Sequence, residues 1–81
     1  MSRIAFNPSI LGGKPIIKGT RISVDFILEL LSSGMSIDKI LKEYKHLKKE
    51  DILDAVDYAA KSIKREEISI KKDVGRGLSG K

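Results

Sequence analysis

The chain has no cysteine, no tryptophan and no glutamine, and holds only two prolines, two phenylalanines and two tyrosines in 81 residues. Without cysteine there is neither a disulfide framework nor a thiolate metal site. No apolar run resembles a leader or a membrane span, so a cytoplasmic protein is expected. The single histidine, His46, stands in a connection with no second ligand or base at recognisable spacing, which suits a surface or capping residue. No nucleophile-base pair is visible, and a chain this small has little room for a pocket. The reading is therefore of a non-enzyme with no cofactor, no metal and no small-molecule substrate. The GxxxxGK spacing of Gly75 to Lys81 has no helix after it to direct at phosphate, and is read as coincidence.

What is present is charge, unevenly spread. The net charge is +5, from sixteen Lys/Arg against eleven Asp/Glu. Residues 64–81 hold six of those cations and three of the anions, so the tail carries +3 and the body +2. An acidic or polyanionic partner is favoured, although most of the excess lies outside the folded head. A body of this size buries only about 60% of the surface its unfolded chain exposes, which makes a homodimer a reasonable expectation.

Residues 2–7 place Ile4 and Phe6 on one face at period two, a short strand ended by Asn7-Pro8. Ile16-Ile17 and Thr20 to Val24 are β-branched runs joined by a turn at Lys18-Gly19, so a β-hairpin arm is expected. Ser23 then suits an N-cap, with Asp25 in the first turn and Gly34 beyond the last. Val24, Ile27, Leu28 and Leu31 form one stripe of this helix, and Phe26 and Leu30 a second. Ser36 caps a second helix bearing Ile37, Ile40, Leu41 and Tyr44. A third begins near Lys49 and carries Ile52, Ala55, Val56, Ala59, Ala60 and Ile63 on its expected buried face. The fold class is mainly α: a three-helix, helix-turn-helix head with a short N-terminal β arm over residues 1–63. Residues 64–81 read as a basic, flexible tail, within which Ile68 and Ile70 alternate with polar residues and suggest strand character.

Asn7-Pro8, the run Gly13 to Val24 (GKPIIKGTRISV), Gly34-Met35-Ser36, Ile40-Leu41, Tyr44, Leu47 and Glu50-Asp51-Ile52 together resemble a small prokaryotic family, domain of unknown function number 433. The likeness covers about residues 3–63 and implies a homeodomain-like head with a β arm. It also implies the antitoxin half of a toxin-antitoxin pair, whose partner resembles a PIN-type nuclease with acidic side chains around a divalent metal. One departure is Lys48, where the family often has Thr or Ser to cap the third helix.

Candidate sites follow from charge and pattern. The third helix offers Glu50, Asp51, Asp54 and Asp57, which phosphates repel, so it is poorly suited to the major groove. Lys14, Lys18 and Arg21 on the arm are the candidate contacts to operator DNA, against the alternative that they are solvated or structurally paired. Ile68, Ile70 and Arg76 are the candidate toxin contacts, Arg76 because a guanidinium on a Gly-Arg-Gly segment can approach carboxylates bidentately. Ile4, Phe6, Phe26 and Leu30 are the candidate dimer interface. The expected function is that of an antitoxin that silences a PIN-like nuclease and represses its operon. A free-standing helix-turn-helix regulator without a toxin and an adaptor docked through the acidic helix are the competing classes.

Overall fold

A computed structural model describes the backbone of residues 3–74 and the side chains of residues 3–65. Two three-residue strands, β1 (Ile4–Phe6) and β2 (Pro15–Ile17), pair antiparallel in the register Ile4–Ile17, Ala5–Ile16 and Phe6–Pro15. Helices α1 (Val24–Ser32), α2 (Ile37–Glu43) and α3 (Lys49–Val74) follow. Three helices behind a two-stranded N-terminal hairpin are the fold expected from the sequence.

The helix boundaries have local causes. Ser23 Oγ accepts the Phe26 N–H at 3.1 Å, which opens α1. The helix closes where Gly34 takes φ +100°, open to glycine at little cost. The Gly34 and Met35 N–H groups then donate back to Leu31 (3.0 Å) and Leu30 (3.2 Å), the paired bonds of a Schellman end. Ser36 Oγ accepts from Lys39 N–H at 3.1 Å and starts α2 at once.

The arm does not project from the head. Ile16 and Ile17 are among the most buried residues, and Ile17 joins Val24, Ile27, Ile40, Leu47, Ile52 and Ala55 in one core. The hairpin expected at Lys18-Gly19 is reduced to a single bridge, Ile16 to Ser23, and the ladder lies instead between β1 and β2. Two features of α3 also differ from expectation. It continues through Ile68 and Ile70 to Val74, where a tail with strand character was anticipated. Lys, Arg and Glu from 64 to 67 are good helix formers, and no Gly or Pro intervenes before Gly75. Val56, Ala60 and Ile63, expected in the core, are exposed, because the head covers the α3 face carrying Asp51, Ile52 and Ala55.

Candidate functional site

The turn between β2 and α1 is built by the residues GTR. Gly19 takes φ +79°, and the Thr20 hydroxyl donates to the Ile17 carbonyl (2.8 Å) while accepting from Ile22 N–H (2.9 Å). Both functions of that hydroxyl are used, so Thr20 fixes the backbone that presents Arg21. The turn forms one wall of an open concavity of about 660 Å³, floored by Ile10, Ile16 and Ile22. Its polar rim comprises Asn7, Arg21 and His46. Asn7 Oδ1 is engaged by the Ser9 N–H at 2.9 Å. Among the described residues, neither Arg21 nor His46 has an ion-pair partner within 4.0 Å.

The three candidate DNA contacts therefore divide. Lys14 is paired with Asp25 at 3.1 Å, an exposed contact of small energetic weight. Lys18 is exposed in the turn and donates its backbone N–H to Arg3 O at 2.8 Å, leaving its ammonium without a carboxylate partner among the described residues. Arg21 is exposed on the rim. Asp25 has its carboxyl pKa lowered by the Ser23 hydroxyl bond first, then by Lys14.

Four residues were candidates for a dimer interface. Ile4 and Leu30 pack against the core of their own chain. Phe6 sets its ring 6.1 Å from Tyr58, and Phe26 meets Tyr44 edge-on at 5.8 Å. Of the candidate toxin contacts, Ile68 and Ile70 lie in α3 with side chains outside the described residues, and Arg76 lies outside them altogether.

A pair that the sequence did not disclose locks the arm to α3. Arg3 Nε donates to Asp51 Oδ1 at 2.6 Å, and Arg3 N–H donates to Asp54 Oδ2 at 3.0 Å. The hydrogen bond to Asp51 and then its charge raise the Arg3 pKa, with Glu50 and Asp54 adding to the effect. Asp51 was expected among the exposed carboxylates, yet it is 6% exposed. Its second oxygen accepts the Lys48 N–H at 2.8 Å, so it supplies the returning half of a capping box at the helix that lacks a hydroxyl cap. The available signal was the acidic residue three positions beyond Lys48; the distant arginine gave none. Among the described residues no cluster of three or more His, Asp or Glu could hold a metal ion, and no helix is long and apolar enough to cross a membrane.

These features define a small helical module with a β hairpin folded onto it and a cationic turn whose Lys18 and Arg21 have no ion-pair partner among the described residues. Residues 4–59 match the family described as "Protein of unknown function (DUF433)", and the chain belongs to it. It is 34% identical over 56 residues to the "Uncharacterized protein y4eO" of Sinorhizobium fredii (strain NBRC 101917 / NGR234), covering 69% of this chain. The matched stretch spans about a quarter of that relative's length, 25%. The crystal structure of a DUF433 member from Anabaena variabilis ATCC 29413 superposes with a TM-score of 0.74 at 26% identity, covering 86% of this chain and 69% of that one.

Proposed function

We propose that this protein is an antitoxin: a binding protein without chemistry of its own that holds and silences a PIN-like nuclease and represses its operon through DNA. The observation that carries the reading is the pair of cations, Lys18 and Arg21, without carboxylate partners among the described residues, on a turn that Thr20 braces. A nuclease of that class gathers carboxylates around its metal, and a guanidinium takes a carboxylate or a phosphate bidentately. The same turn therefore suits an acidic protein rim and, in repression, a DNA backbone. Helix α3 suits DNA poorly, since after Lys49 its exposed positions near the start are Glu50, Leu53, Val56 and Asp57, two carboxylates against one cation.

The test pairs this chain with the product of an adjacent small reading frame rich in Asp and Glu. Co-expression is expected to relieve growth arrest and give a co-purifying complex, and the double variant Lys18→Ala, Arg21→Ala to lose both. Full rescue by the double variant overturns the role of the turn. Absence of any toxic or co-purifying neighbour, with operator binding retained, favours the free-standing regulator. In that assay the double variant is expected to flatten the salt dependence, each lost phosphate contact removing about one unit of slope.

A further inference from the structure

We infer that the outer face of α3 is a homodimer seam, in which two copies of the helix pair antiparallel through Leu53, Val56, Ala60 and Ile63. This rests on other residues than the antitoxin reading and stands or falls separately.

Leu53, Val56 and Ile63 are 50%, 41% and 59% exposed, and Ala60 is exposed between them. Their separations of three, four and three residues put them on one stripe, distinct from the Asp51, Ile52 and Ala55 face that the head covers. The spacing resumes at Ile70 and Val74, with the charged Glu67 interrupting it at the intervening position, all within α3. A three-four repeat maintained along one helix is the pattern of a coiled-coil seam, with Leu53 and Ala60 at a positions and Val56 and Ile63 at d. Among the described residues none of these four joins the core cluster of the head, and a stripe of such residues is stabilised by an identical stripe.

Size and charge select the direction. A parallel pair would stack Ala60 on Ala60, leaving a void, and set Glu67 at the level of its own copy. An antiparallel pair with its two-fold axis between Ala60 and Ile63 places the small residue against the large one and sets Glu67 opposite Val56, not opposite its own copy. It also brings the flanking positions Asp57 and Lys64 of opposite chains together, twice by symmetry. Sliding one heptad toward the N-terminus would instead oppose Asp57 to Asp57. Asp57 now pairs with Lys61 at 3.0 Å, but both are exposed and one turn apart on the same helix, a contact weak enough to be exchanged.

Sedimentation equilibrium on the full chain alone, at micromolar concentration, is expected to give twice the 9.0 kDa monomer mass. Val56→Asp with Ile63→Asp should leave the helical circular dichroism unchanged and give a monomer. Asp57→Lys should weaken association about tenfold, through two pairs turned repulsive, and Asp57→Lys with Lys64→Glu should restore it. Because the chain has no cysteine, mixing the variants Ala60→Cys and Ile63→Cys reads the direction directly. A disulfide between unlike variants supports the antiparallel seam. A wild-type monomer, a dimer indifferent to the aspartates, or crosslinking of like variants only would each overturn it.

Discussion

Replacing Asp51 with alanine removes one acceptor that serves two distant parts of the chain. The carboxylate takes the Lys48 N–H at 2.8 Å, at the start of α3, and Arg3 Nε at 2.6 Å, on the strand leading into β1. Loss of a capping side chain costs about 1 kcal/mol. That cost is the orphaning of the Lys48 N–H and is counted once. The exposed guanidinium of Arg3 is left out of this sum because solvent screens it. A cost of about 1 kcal/mol corresponds to a fall of roughly 4–8 °C in Tm for a domain of this length. Asp51→Asn keeps an oxygen for the Lys48 N–H and gives up only the charge facing Arg3, so its Tm should fall by less than half as much. Thermal unfolding followed by circular dichroism separates the two. Equal losses for alanine and asparagine, or an alanine variant within about 3 °C of wild type, would refute the assignment of Asp51 as a cap.

The cap itself can be improved. Lys48→Ser should offer a hydroxyl to share the Asp51 N–H, which now donates to the Lys48 carbonyl at 2.9 Å, and raise stability by at most about 0.5 kcal/mol in urea titration, with an unchanged m value. Acid behaviour follows from Asp25, whose pKa is lowered on folding, so the unfolded chain binds its proton more readily. The stability it contributes is present above its ordinary value of 3.8 and fades as pH falls through the lower folded value. Asp25→Asn should therefore make the Tm less sensitive to acid below about pH 4, as a pH series of melts would show.

How much of this was legible in the sequence depended on range. Ser23, Ser36 and Gly34 mark their helix ends through bonds that span three to five positions, and such signals can be read directly. The β1 strand was visible in the alternation of Ile4 and Phe6. The Arg3–Asp51 contact spans 48 residues and depends on how the arm lies, so no local pattern encodes it. The buried face of α3 was drawn too wide: Ile52 and Ala55 are buried as expected, but Val56, Ala60 and Ile63 are not. Ile52 and Ala55 form one stripe, Leu53, Val56, Ala60 and Ile63 form its neighbour, and periodicity does not say which of two adjacent apolar stripes meets the head. The helix end was placed too early because charge was taken for disorder, when the same residue types favour helix wherever glycine and proline are absent. The turn at Lys18-Gly19 was visible in the sequence, but only coordinates could separate Lys14, already paired, from Lys18 and Arg21.

The lock between arm and helix gives the proposed seam a consequence for binding. Arg3 joins β1 to Asp51 and Asp54, and Phe6 meets Tyr58, so the hairpin is fixed to α3 at three points along one side. The concavity carrying Arg21 is lined by that hairpin and the turn after it, and so is held in a set relation to the helix. Two helices paired antiparallel would then present two cationic turns related by a two-fold axis at one fixed separation. A ligand with matching two-fold symmetry, such as a palindromic operator, engages both turns at once, and the second contact is intramolecular. Loosening the lock with Arg3→Ala should leave each turn chemically intact yet weaken the paired contact more than the single one. Affinity for a full operator should therefore fall further than affinity for a half-site. Equal losses on both would mean that the two turns act independently, whatever the state of the dimer.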